Sequence, residues 1–390
     1  MSGPLSFPQD GYLGVAADFA DLYSQHLEPP KEFFYLDMLA LTGAALSGRV
    51  RVDIALPYQP RLYVNKIARS AWDRKSTSTR LAEQFVRDAF AFNGAGAAGM
   101  PEVVLGVGSA EGLAQALLWN KRVVLSCDEL RRFEAKAGIQ GSALLPMVNE
   151  LFESNRYQNL TKGQNTKIED GHFVFVSNST EETWHGLLNG SEIKDSGFLN
   201  RIFLLPGNTN KRISRPTGPA THQIQPLVAD LAAKFAALPA LNSNGSAPFE
   251  VLLPFTSSAE TTWDSWYCAV PQLPETARLD TIGPRLMAVL AFVSGKPTID
   301  DDVMRATLAL LDFQQQVRVE YAPIIAVNQA ASMEEKIRRA LKKYGPLNLR
   351  KLRRHTNADR VGIQVFWQAM RQLDNFKEIQ EVNGKWDLVP

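Results

Sequence analysis

Residues 62–77 read Leu62-Tyr63-Val64-Asn65-Lys66-Ile67-Ala68-Arg69-Ser70-Ala71-Trp72-Asp73-Arg74-Lys75-Ser76-Thr77. The largely apolar run 62–68 predicts a buried strand. A short polar turn follows, then Lys75-Ser76-Thr77, then a helix-like stretch over 79–90. Strand, loop, Lys-Ser/Thr and helix is the layout of a phosphate-binding loop. Both glycines of G-x-x-x-x-G-K-[ST] are replaced, with Arg69 and Arg74 in their places. The N-terminus of the following helix presents amides and a positive dipole end to phosphate. Lys75 would reach the β- and γ-phosphates, while Ser76, beside Thr77, would ligate Mg²⁺. A non-glycine residue held at positive φ costs roughly 1–2 kcal/mol. Arg74 could offset this as a second cation at the phosphates. A surface turn with chance basic residues is the competing reading.

Working downstream, Lys121-Arg122-Val123-Val124-Leu125-Ser126-Cys127-Asp128-Glu129 is an apolar strand ending in two carboxylates. Such a strand would bring Asp128 to a metal and Glu129 to an attacking water. A third apolar strand over 172–177 ends in Asn178-Ser179-Thr180, where Asn178 could read a γ-phosphate or position water. Ser196-Gly197-Phe198-Leu199-Asn200-Arg201 sets Arg201 at the start of a fourth strand, able to serve a phosphate site in cis or a neighbour's in trans.

The order of these segments resembles the ATPase domain of phage- and plasmid-borne helicase-like proteins of the RecA/AAA+ P-loop class, a family frequently joined to primase modules. The resemblance spans roughly residues 30–330. It rests on the Leu-Tyr-Val strand before an Arg-Lys-Ser/Thr loop, Gly108-Ser109-Ala110-Glu111-Gly112 after the second strand, the Asp128-Glu129 strand, the His172 strand and Gly197-Phe198-Leu199-Asn200-Arg201. It implies an α/β P-loop NTPase core, ATP and Mg²⁺ as ligands, a homo-oligomeric ring (commonly a hexamer) and a primase or polymerase partner. RecA-like folds place the water-activating glutamate at Glu111, and AAA+ folds place it at Glu129. A third reading makes Glu111 a first-turn acid favoured by the helix dipole.

Composition is that of a soluble globular protein, with 45% hydrophobic and 21% charged residues, and the length of 390 suggests two to three domains. No apolar run approaches the ~20 residues of a membrane helix. Residues 1–10 lack the basic and apolar regions of a signal peptide, which predicts a cytoplasmic protein. Cys127 and Cys268 are the two cysteines, so neither a disulfide framework nor a Cys-based zinc site is expected. His172 and His185 are read as structural.

The net charge of +1 hides an asymmetry. Residues 332–390 hold 13 Lys and Arg against 7 Asp and Glu, a net of +6, and the remainder is net −5. A basic module on an acidic body is an electrostatic footprint for nucleic acid. The periodicity of this tail predicts a winged helix-turn-helix. Ser332 and Glu335 form a capping box before a helix over 333–344, which Gly345-Pro346 stops. A short helix follows to His355, then a third that Asn357 could cap, and finally a hairpin with Asn383-Gly384 as its turn. Candidate DNA contacts are Arg350, Lys351, Arg353, Arg354, Arg360, Gln364, Gln368 and Arg371, with Lys385 on the wing. Trp367 is read as core. Winged helices also serve protein contacts, and that reading stays open.

The expected organisation is an N-terminal helical segment (1–57), an α/β core (58–217), a mainly helical lid (218–330) and the winged helix (332–390). Three functions compete: an ATP-driven DNA motor or helicase for replication of a mobile element, an ATP-gated DNA-binding initiator or loader with little hydrolysis, and a nucleotide-free scaffold that docks a primase.

Overall fold

A computed structural model describes residues 5–92, 99–160, 165–190, 193, 196–322 and 329–389. They form two compact units, 5–321 and 322–389.

In the larger unit, α1 (Gly14–His26) and α2 (Lys31–Leu46) precede a short strand β1 (Val50–Val52). Then come β2 (Tyr63–Ile67), α3 (Lys75–Ala91), β3 (Glu102–Val104), α4 (Ala110–Trp119) and β4 (Arg122–Cys127). Next follow α5 (Leu130–Ala137), α6 (Leu144–Glu153), the hairpin β5 (Tyr157–Leu160) and β6 (Asn165–Ile168), then β7 (His172–Ser179), α7 (Glu181–Gly190) and β8 (Ile202–Pro206). β3, β4, β7, β2 and β8 lie in that order as one all-parallel sheet. The central strands are buried throughout, which is why 62–68 reads as a continuous apolar run.

Alternation along β2 separates two faces. Tyr63 points to α6, its hydroxyl donating to the Val148 carbonyl at 2.7 Å. Lys66 points the other way, to α2 and α3. The chain leaves β2 through α3 toward the far edge, and leaves β7 through α7, which packs on α5, toward β8. The connections diverge on opposite faces, so the carboxyl ends of β2 and β7 flank a topological switch point.

The segments expected as separate cap, core and lid share one hydrophobic core. β1 pairs in parallel with β9 (Val251–Leu253), and the helix Leu279–Val293, buried at every position but Asp280, packs on α2 and β1. The helix Thr221–Ala236 packs on α1 and α3. Helices at Thr221–Ala236, Ser257–Ala269, Leu279–Val293 and Asp301–Glu320 make the expected 218–330 segment mainly helical, and they are built into the body. Positions 323–328 of the expected lid lie outside the described residues.

The smaller unit has its own core of Met333, Ile337, Leu341, Leu352, Phe366, Met370, Leu373 and Ile379. Its helix spans Gln329–Tyr344, so Ser332 is inside the helix and the capping box does not start it. Gly345, at φ +67°, ends it as expected. Asn348 caps Leu349–His355 by accepting the Lys351 amide at 2.9 Å. Asn357 takes left-handed backbone without a side-chain cap, and Gly362 (φ +129°) breaks the third helix into Ala358–Val361 and Ile363–Asn375. Strands β10 (Ile379–Val382) and β11 (Lys385–Leu388) form the hairpin, with positive φ at both Asn383 and Gly384. Leu347 adds a bridge to Trp386, completing the wing.

Among the described residues, no helix is long and apolar enough to cross a membrane.

Candidate functional site

The loop over 68–74 leaves the carboxyl end of β2, and Lys75 opens α3. Without glycine the loop still uses left-handed backbone, at Ala71 (φ 63°) and Arg74 (φ 47°). Arg69, at the first glycine position, does not take a positive φ. Strain therefore sits at the tip and at the helix entry, held by side-chain ties. The buried Asp73 carboxylate accepts the Arg69 amide at 2.7 Å, the Arg69 guanidinium at 2.8 Å and the Thr209 amide at 3.0 Å. Burial pushes this carboxyl up, but the bonds from Arg69 and Thr209 outweigh it and hold it below its ordinary value. Arg74 pairs with Glu28 at 3.0 Å, and Glu28 also accepts the Ile213 amide.

In this arrangement Arg69 and Arg74, both expected among the phosphate-binding residues, each have an acid as partner. Both guanidiniums are engaged by acids that close the loop. Lys75 folds back, its ammonium donating to the Ala68 carbonyl at 2.8 Å and the Arg69 carbonyl at 3.1 Å. Burial lowers its pKa from the ordinary lysine value, with Asp73 opposing. Ser76 is exposed and Thr77 half-buried in the first turn of α3. Arg74 provides no side-chain cap there, but its carbonyl accepts the Thr77 amide at 3.0 Å, which leaves the amides of Lys75 and Ser76 as the uncapped donors of a helix N-terminus.

Beneath the loop lies a feature that sequence reasoning missed. Lys66 and Asp37 are fully buried and paired at 2.6 Å. The Lys66 ammonium also donates to the Lys75 carbonyl (2.8 Å) and the Thr79 hydroxyl (2.6 Å), and Ser78 donates to Asp37. Burial moves both groups toward neutrality, raising Asp37 and lowering Lys66, while their mutual attraction opposes it. The pair pins the start of α3 to β2 and α2. The signal was a lysine inside an apolar strand and an aspartate inside an apolar helix.

The remaining acids are placed by register. Cys127 pairs with Ser177, and Ser177 with Asn65, so Asp128, one residue on, is level with Asn178 and Lys66. Two strand spacings, about 10 Å, separate it from β2. Its charge acts on the Lys66 ammonium. Glu129 is exposed at the start of α5 and paired with Arg132 at 3.8 Å. β7 runs two residues beyond its expected end, so Asn178 lies within the strand, 4% exposed, with no partner for its Oδ1.

Two candidates are not brought to this rim. Glu111 is exposed in the first turn of α4, three strands from β2, and its carboxyl is lowered first by a bond from Ser109. That matches the helix-dipole reading. Arg201 precedes β8, at the opposite end of the sheet from residues 68–77. The length of β8, roughly 16 Å, excludes it from its own chain's loop. It is mostly buried, donating to the Gly197 carbonyl and facing Glu153, which also pairs with Arg278 and Arg285. Cys127 is buried, and burial pushes its thiol up to about 11, as suits an inert group.

In the smaller unit, Arg350, Arg353, Arg354 and Arg360 line a cleft of about 630 Å³ with Asn357 and Asp359. Arg353 bonds Asp359. Gln364, Trp367, Gln368 and Arg371 share the exposed face of Ile363–Asn375. Trp367, read as core, is 40% exposed on that face. Lys351 and Lys385 are exposed. Arg338 and Arg339 contribute less to the basic footprint than their charge suggests, since Glu378 and Glu335 engage them.

No family model matches the chain, and no curated protein sequence matches it.

Proposed function

We propose that the chain is an ATP-dependent protein acting on DNA. The observation that carries this reading is the placement of Lys75 and the start of α3, whose Lys75 and Ser76 amides are uncapped, just beyond the carboxyl end of the central strand. The buried, unpartnered Asn178 side-chain oxygen lies on the adjoining strand, level with Lys66, whose ammonium holds the Lys75 carbonyl. A helix N-terminus with a lysine at a switch point suits a polyphosphate. Lys75 and the first-turn amides would hold the phosphates. Ser76 and Asp128 would hold Mg²⁺, which takes few protein ligands and keeps water. Asn178 would orient the terminal phosphate, and Glu129, nearer the rim than Glu111, would take the proton from water. The finer reading is a motor or helicase in replication of a mobile element, working as a ring in which Arg201 serves the neighbouring subunit. It rests on the resemblance in motif order. The basic unit 322–389 would contact DNA.

A second reading, an ATP-gated binder with little turnover, is favoured by one observation: Lys75, Arg69 and Arg74 are all engaged within the closed loop. Steady-state ATP hydrolysis with Mg²⁺, with and without single-stranded DNA and beside Lys75→Ala, separates the readings. DNA-stimulated turnover that Lys75→Ala abolishes supports the motor. Nucleotide binding without turnover selects the gated binder. Neither binding nor turnover leaves a scaffold.

A further inference from the structure

The cleft in the smaller unit has a chemistry of its own. Leu349–His355 and Ala358–Val361 meet at the left-handed Asn357, and this corner brings four guanidiniums to one 630 Å³ recess. Among the residues that line the recess the acid is Asp359, so the lining carries a formal charge of +3. Asp359 holds Arg353, whose Nε is buried without a hydrogen-bond partner. Arg350 and Arg354 are exposed at its rim. The recess is built from the helices before Ile363–Asn375, whose exposed Gln364, Trp367, Gln368 and Arg371 present a different chemistry, amide and aromatic.

We propose that this recess is a phosphate clamp for consecutive phosphodiesters of a DNA backbone, with Asp359 acting as a built-in competitor that a bound phosphate displaces from Arg353. The proposal rests on the DNA reading of this unit and divides its labour. The clamp supplies sequence-independent affinity, and the Gln364–Arg371 face supplies any base preference. A charge of +3 exceeds what one phosphodiester neutralises, and guanidiniums suit bidentate phosphate contacts. Replacing Asp359 with a neutral isostere therefore tightens binding, the opposite of what loss of a structural ion pair would do.

The test is fluorescence anisotropy of the full chain with a short labelled DNA duplex, across a salt titration and with two unrelated sequences. Arg350→Gln and Arg354→Gln, both at exposed positions, are each expected to weaken binding equally for both sequences. Each should lower the slope of log K against log salt by about one. Asp359→Asn is expected to tighten binding several-fold at low salt and steepen the slope. Gln368→Ala is expected to leave the slope unchanged. Thermal unfolding of each variant checks the fold. Wild-type binding with unchanged slopes in both arginine variants overturns the clamp while the DNA reading stands, as does weaker or unchanged binding by Asp359→Asn. Failure of the wild type to bind either duplex or the corresponding single strand overturns the DNA reading and the clamp together.

Discussion

The Lys66 ammonium lies 2.6 Å from the Asp37 carboxylate, both at zero exposure, and the same ammonium holds the carbonyl of Lys75. A buried pair of this kind gains little over a well-packed apolar pair, but breaking it leaves a charge stranded. Lys66→Met or Asp37→Leu alone is expected to cost about 3–5 kcal/mol, and the double variant to recover much of that loss. Denaturant midpoints of the three variants measure the coupling. Additive losses would show that the two groups do not act as a unit. Because the pair positions α3, a double variant that is stable yet binds nucleotide weakly would separate scaffold from site.

Asn178 has an acceptor buried without a partner. Such a group costs roughly 1–3 kcal/mol of desolvation. Asn178→Ala is therefore expected to leave stability unchanged or slightly raised while ATP turnover falls. A clear loss of stability, with turnover intact, would assign Asn178 to the core alone.

The strain at Ala71 is testable without touching a side-chain contact. It is exposed and left-handed, at φ 63°. Glycine relieves roughly 1–2 kcal/mol of steric cost but adds unfolded-chain entropy. Ala71→Gly is expected to stabilise by about 0.5–1 kcal/mol, read as a shift in the denaturant midpoint. Destabilisation would mean that the loop gains from stiffness there.

Glu129 and Glu111 differ in position, and one substitution at each tells them apart. Glu129→Gln is expected to retain ATP and lose turnover by a factor of about 10²–10⁴. Glu111→Gln should change turnover little. The reverse pattern would move the base to the edge strand.

His172 is fully buried, and burial lowers its pKa to about 4, with Arg61 and Arg122 adding to the shift and Asp170 opposing it. The unfolded chain, with histidine near 6.5, binds more protons between pH 6.5 and 4. Stability therefore falls as pH drops through that window, by about 3 kcal/mol at its lower end. Asp170, held below its ordinary value by bonds from His172 and Ser246 against the effect of burial, adds a further loss at lower pH. His172→Gln is expected to flatten the dependence between pH 6.5 and 4.5 in denaturant titrations. An unchanged profile would place the titrating group elsewhere.

How much of this was legible depends on whether a residue's partners lie near it in sequence. The β2–loop–α3 unit was readable because an apolar run and Lys-Ser-Thr are adjacent. Its helix begins four residues earlier than periodicity placed it, because the first turn is polar and carries no apolar stripe. β7 extends through polar residues because Ser177 and Ser179 find Asn65 across β2, a partner no local pattern reveals. The Ser332 capping box misplaced a helix start because Ala330 joins the buried positions upstream. The wing was readable down to its turn, since Asn-Gly specifies its own backbone. The engagement of Arg74 was not, because Glu28 is brought there only by the fold, whereas the Arg69 partner Asp73 lies four residues away.

The parallel pairing of Val50 with Val251 has a consequence for the birth of the chain. From Phe33 to Leu46, α2 is buried at every position, and part of its cover is the helix Leu279–Val293. At a synthesis rate of about 5–20 residues per second, that apolar helix waits on the order of ten to fifty seconds on the ribosome before its cover emerges. Nascent chains halted before residue 293 are thus expected to expose apolar surface of α2, and the larger unit completes its core only once that helix has been made.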